Sequence, residues 1–126
     1  MQVKKAERIK IKVGNIWESP TLHVLLTEED GVIVARCLDF TVSSHGEDER
    51  KALEALGESI REYILTAVED NVFENILDPA HGKYWRMYNE LEAKQVKRGL
   101  KESLRKVFES GSAADKAELS TEIHYA

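Results

Sequence analysis

The rhythm of apolar and polar residues changes along this chain. From Arg8 to Val13, Ile9, Ile11 and Val13 alternate with Lys10 and Lys12, a period of two that predicts a half-buried strand. Gly14-Asn15 and Ser19-Pro20 then punctuate the chain. Thr21 to Thr27 is rich in β-formers and apolar residues, including Leu22, Val24, Leu25 and Leu26. Glu28-Glu29-Asp30-Gly31 reads as a turn, since Asp-Gly tolerates the positive φ that tight hairpins need. Val32 to Leu38 continues as the second arm of a β-hairpin. Thr41-Val42-Ser43-Ser44 predicts a third short strand, ended by Gly46.

Beyond Gly46 the period lengthens. Leu53, Leu56, Ile60, Tyr63, Ile64, Ala67 and Val68 recur at spacings of three and four, which predicts an amphipathic helix from about Asp48 to Asp70. Asp48 suits the N-cap, with Lys51 at the third position in place of the Glu of a full capping box. Glu47, Asp48 and Glu49 set negative charge where the helix dipole favours it. Gly57 interrupts this helix at a cost of about 1 kcal/mol relative to Ala, and a small residue there suits close approach to the sheet. Residues 71–82 read as a connection, with Pro79 and Gly82. A second helical pattern runs from about Lys83 to Glu109, with Tyr84, Tyr88, Leu91, Val96, Leu100, Leu104 and Val107 on its apolar face. Gly111-Ser112 ends it. Across 117–125, Leu119, Thr121, Ile123 and Tyr125 alternate with polar residues, either as a last strand joining the sheet or as a terminus ordered against a second subunit.

The pattern as a whole predicts an α+β fold. A small antiparallel sheet, a hairpin plus additional strands, packs against one amphipathic helix, followed by a long second helix and a C-terminal strand. With 126 residues, the chain fits a single domain, 1–126, in which 71–126 form a C-terminal helical extension.

Charge adds an asymmetry that periodicity does not show. The net charge is −5, which disfavours a protein that coats nucleic acid through overall basicity. Residues 1–13 carry five basic groups and one acidic, residues 14–70 four basic and thirteen acidic, and residues 71–126 nine of each. The acidity is therefore concentrated in the middle, where it suits either a basic partner or simply a solvated surface. A lone cysteine, Cys37, cannot form an intramolecular disulfide, so nothing demands an oxidising compartment. The first eight residues lack the apolar stretch of a secretory signal. The longest apolar run, Val32-Ile33-Val34-Ala35, is far short of the roughly 20 residues of a membrane span. These features lead us to expect a cytoplasmic protein without membrane contact.

Several pieces of the middle third occur in a telling order. Glu28-Glu29-Asp30-Gly31-Val32-Ile33-Val34-Ala35 is followed by Leu38-Asp39-Phe40. Ser43-Ser44-His45-Gly46-Glu47-Asp48 then leads into Ala52-Leu53-Glu54-Ala55-Leu56. Residues 21–70 thereby resemble the HicB-like antitoxin family, whose domain resembles part of the RNase H fold. Leu38 stands where that family has its first proline, Thr41-Val42 replaces its Pro-Gly, and Lys51 replaces its usual glutamate. The resemblance implies a protein that binds and masks a small basic RNA-cleaving toxin, although family members also occur without one. The family's C-terminal DNA-binding segment has no counterpart in residues 83–126.

The candidate chemistry is sparse. Nucleotide-binding glycine loops and a G-x-S-x-G elbow are missing. His23, His45, His81 and His124 lack zinc-ligand spacing. His45, Asp39 and Asp48 are near one another in sequence and suit either an acid/base or metal group or simply a turn and a helix cap. Asp39 alone cannot make the multi-carboxylate site of an RNase H-like nuclease. Cys37, within an apolar strand, reads as a structural thiol. The sequence therefore leads us to expect no catalysis, no cofactor and no metal. Lys94, Arg98, Lys101 and Arg105 line one face of the second helix and suit either phosphate contact or a solvated surface. Tyr84, Trp85 and Tyr88 read as core or subunit contact.

The leading expectation is thus a non-enzymatic HicB-like interaction protein, forming a homodimer or higher homo-oligomer and partnered by a small basic toxin. A stand-alone role remains the other form of this reading. The rivals are a nucleic-acid binder using the Lys94–Arg105 stripe and a metal-dependent hydrolase on an RNase H-like scaffold.

Overall fold

A computed structural model of the chain describes residues 1–72, 78–110 and 120–125. The element order is β1 (Gln2–Ile9), β2 (Lys12–Val13), β3 (Trp17–Glu18), β4 (Leu22–Glu29), β5 (Val32–Cys37), β6 (Val42–Gly46), α1 (Glu49–Asp70) and α2 (Gly82–Glu109). This is an α+β fold. Four strands form an antiparallel sheet in the order β1-β4-β5-β6, and β2 and β3 pair separately. The chain divides into two compact units, Met1–Ala93 and Lys94–Ala126.

The hairpin forms where the pattern places it. Glu29 pairs with Val32 across Asp30 and Gly31, which adopt φ of 52° and 81°. Side chains on β4 then alternate between the two sheet faces. Leu22, Val24 and Leu26 join Ala35 and Cys37 in a core with Ala52, Leu56, Ile60 and Ile64 of α1. Leu25 joins Ala6, Leu38 and Tyr88 in a second cluster on the other face. The sheet is therefore covered on both faces. Every residue from Leu22 to Thr27 is buried except His23.

Helix α1 begins where the cap dictates. The Asp48 carboxylate accepts the Lys51 backbone N–H at 2.8 Å, which satisfies one of the orphan donors of the first turn. Asn71 closes the helix in the left-handed conformation, its N–H turned back to Ala67 and Val68 carbonyls. Val68 is exposed, and Ala52 takes a place in the buried face instead.

The fold departs from the sequence pattern in four places. The strand read across 8–13 is two strands, because Ile11 and Ser19 clasp each other. The Ile11 N–H donates to the Ser19 hydroxyl, and the Ser19 N–H donates to the Ile11 carbonyl, both at 2.8 Å. Gly14, at φ 51°, turns the chain between them. Secondly, β1 starts at Gln2. Its charged residues hid it, yet an edge strand tolerates lysines, and a bulge between Val3 and Lys5 breaks its regularity. Thirdly, the close approach belongs to Gly46, not Gly57. A Cβ at Gly46 would lie 2.5 Å from the Ala52 nitrogen, whereas one at Gly57 would meet open space. Finally, residues 120–125 carry no strand and are exposed; the rest of the 117–125 pattern lies outside the described residues.

Candidate functional site

The face of the sheet opposite α1 carries a layer of interacting polar side chains. His23, on β4, lies across from Arg8 of β1, and two residues on, Leu25 points to the same face. Asp39 follows β5 and reaches back to His23. The Asp39 carboxylate accepts the His23 backbone N–H at 2.7 Å and lies 3.1 Å from the imidazole Nδ1. With Nδ1–H donating to Asp39, Nε2 becomes the basic nitrogen of the ring. The imidazole packs against Trp85 and Tyr88, with ring centroids 5.4 and 5.5 Å away. The dyad has the base-and-orienter form found in hydrolytic triads. Among the described residues, however, the thiol in contact with it, Cys37, stands 4.0 Å from Asp39 rather than against the imidazole. Burial pushes the Cys37 thiol up from its ordinary value, so the reactive thiolate is disfavoured.

Two ion pairs border this layer. Arg8 pairs with Glu92 at the β1 side. Burial alone would raise the Glu92 carboxyl, but hydrogen bonds from Arg8 and Tyr88 hold it below the usual range. Burial, reinforced by Glu92, pushes the Tyr88 phenol up to about 12, and its hydroxyl donates toward the Glu7 carbonyl at 3.5 Å. Arg36 of β5 pairs with Glu29 at 3.1 Å and donates to the Thr27 hydroxyl at 3.0 Å. Its hydrogen bond holds the Glu29 carboxyl below the usual range. The same guanidinium lies over the Tyr84 ring, 5.1 Å from the centroid. Arg36, Ser43, His81 and Tyr84 help to line a cavity of about 280 Å³.

These contacts account for the aromatic cluster. Tyr84, Trp85 and Tyr88 pack on the sheet, with Tyr88 fully buried. The His45, Asp39 and Asp48 group does not assemble. Asp48 caps α1, Asp39 is committed to His23, and His45 is exposed on β6 opposite Val34. Among the described residues, no group of three or more His, Cys, Asp and Glu side chains is placed to hold a metal ion. The pattern missed His23 and Arg36. The signal for His23 was present: it is the one polar residue inside the otherwise apolar run from Leu22 to Leu26.

Two surfaces remain. On α1, Glu54, Glu58 and Glu62 are all exposed at i, i+4 spacing. Glu54 is bridged to Arg50 at 3.0 Å, and Glu47 to Lys51 at 3.0 Å. Three of the thirteen acids of segment 14–70 thus lie in an exposed row on this helix, which also exposes Arg50, Lys51 and Arg61. In the second unit, Lys94, Arg98, Lys101 and Arg105 are exposed on one face of α2, with Arg105 bridged to Glu102 at 2.9 Å.

Comparison with known proteins found no matching family model, no matching curated protein and no matching solved structure. No helix among the described residues is long and apolar enough to cross a membrane.

Proposed function

We propose that this chain is a non-enzymatic interaction protein of the HicB-like kind, which binds and masks a small basic RNA-cleaving protein. The observation that carries the reading is the exposed carboxylate row Glu54, Glu58 and Glu62 on α1, in a segment where acids outnumber bases thirteen to four. The resemblance of residues 21–70 supports the same reading, and the hairpin, third strand and helix follow in the order it implies. Such a surface speeds encounter with a basic partner and supports an association that weakens as salt rises. The His23–Asp39 pair serves in this reading as a clasp between β4 and the segment after β5. The reading requires an adjacent reading frame that encodes a small basic protein, and the test is RNA cleavage by that protein; a neighbour of any other kind contradicts the toxin-masking reading. Adding this chain in equimolar amount is expected to suppress that cleavage. Unchanged cleavage contradicts the reading, as does turnover of RNA by the chain itself with Mg²⁺ that is lost in Asp39→Asn.

A second reading rests on the exposed basic face of α2. If Lys94, Arg98, Lys101 and Arg105 contact phosphates, mobility shifts of DNA or RNA appear at low salt and fall steeply as salt rises. Replacing all four by Gln abolishes them. The absence of any shift at low salt removes this reading.

A further inference from the structure

The cavity of about 280 Å³ lies wholly within the first unit, between the end of β5, the start of β6 and the entry to α2. Arg36 and Ser43 are cross-strand partners, so their side chains leave the same face of the sheet side by side. The lining sorts into two kinds. Val42, Ala80 and the Tyr84 ring supply apolar wall, and Arg36, Ser43 and His81 supply polar atoms. Among the described residues, no aspartate or glutamate lines it.

Each of the three polar groups has a donor to spare. The terminal nitrogens of Arg36 hold Thr27 at 3.0 Å and Glu29 at 3.1 Å, which fixes the guanidinium in place. Its Nε–H has no partner among the described residues. The His81 Nδ1 accepts the Lys83 backbone N–H at 3.1 Å, so the proton of the neutral ring sits on Nε2, where it can donate. The Ser43 hydroxyl makes no hydrogen bond among the described residues. The Thr41 hydroxyl, by contrast, already donates to the Asp78 carbonyl at 2.7 Å. Lys83 adds positive charge beside the same wall, its ammonium 4.9 Å from the centre of the Tyr84 ring.

We propose that this cavity binds a small organic anion, a carboxylate or phosphate head on a compact apolar body. Spare donors with no facing acceptor recognise a group that only accepts. A cationic ligand would meet Arg36 and Lys83 with no carboxylate in the lining to offset them. Val42, Ala80 and Tyr84 then cover the apolar body. The volume falls just short of the roughly 300–1,000 Å³ of most small-molecule sites, so the ligand is of single-ring size. Thr27 and Glu29 hold Arg36 before any ligand arrives, so little ordering is lost on binding. Glu54, Glu58 and Glu62 do not line the cavity, so anion binding here is independent of the basic-partner reading.

NMR titration of the full isotope-labelled chain at neutral pH tests this, with benzoate, phenyl phosphate, benzamide and inorganic phosphate as probes. Benzamide keeps the shape of benzoate without its charge. At least one organic anion is expected to shift the amide signals of Ser43 and of residues 81–84 saturably, and its tighter binding identifies the head group. Benzamide is expected to bind at least about tenfold more weakly. Two variants change the cavity while suiting the local fold. His81→Asp keeps a side-chain acceptor for the Lys83 N–H, aspartate being a favoured cap, but sets a carboxylate at the cavity. Ser43→Phe puts a strand-favouring aromatic at an exposed position and fills the space. Each is expected to weaken anion binding at least about tenfold, with circular dichroism unchanged. No saturable shift with either organic anion overturns the proposal. So does benzamide binding as tight as benzoate, inorganic phosphate as tight as phenyl phosphate, or anion binding that survives both variants.

Discussion

Asp39 joins several parts of the first unit through one carboxylate. It accepts the His23 N–H and orients the His23 ring, which in turn packs under Trp85 and Tyr88. Asp39→Ala leaves a half-buried donor without its acceptor, and we expect a loss of about 1–3 kcal/mol in chemical denaturation. Tyr88 offers a direct probe of the same layer. Because burial pushes its phenol up to about 12, one of the four tyrosines will ionise late in an alkaline absorbance titration, and Tyr88→Phe will remove that late component. Its neutral form belongs to the folded state. The stabilising contribution is complete below the ordinary tyrosine value of 10 and is lost as pH rises toward 12. The pairing of Asp39 with His23 was not legible in the sequence, because the two are 16 positions apart and meet only through the β4–β5 register.

At the scale of elements, local signals were legible where one short segment decides the outcome. Asp30-Gly31 specifies the hairpin, and Asp48 with the following spacing of three and four specifies α1. Boundaries that depend on long-range pairing were not legible. β1 is a strand because β4 accepts it, and no apolar alternation marks Gln2 to Glu7. Likewise, one apolar ladder through α2 fails at the five-residue step after Leu91, and only burial shows that Tyr88 is covered while Leu100 is not. The two helix-region glycines make opposite predictions. Gly57→Ala meets open space in a helix interior and should stabilise by about 0.4–1 kcal/mol. Gly46→Ala drives a Cβ against the backbone at the start of α1 and should destabilise. Thermal denaturation of the two variants compares the signs directly.

For the molecule as a whole, charge has two separable consequences. Arg36 and Arg8 hold Glu29 and Glu92 below the usual carboxylate value of 4.5. Both acids are therefore more readily ionised in the folded chain than in the unfolded one. The stability they contribute is complete above about pH 4.5 and falls as pH drops through the folded values. Arg36→Gln should therefore lower stability at neutral pH and flatten its decline toward about pH 3, as read by urea denaturation across that range. In the proposed reading, the exposed carboxylates Glu58 and Glu62 take the other role, recognition of a basic partner. The proposal requires an adjacent reading frame that encodes a small basic RNA-cleaving protein, and the central claim is tested most directly by light scattering of this chain co-expressed with the product of that frame. The account predicts a stable complex at low salt that weakens as salt rises and is lost in the double variant Glu58→Lys, Glu62→Lys, with that variant's own fold intact by circular dichroism. A failure to form any complex, or a complex indifferent to both salt and charge reversal, would contradict it.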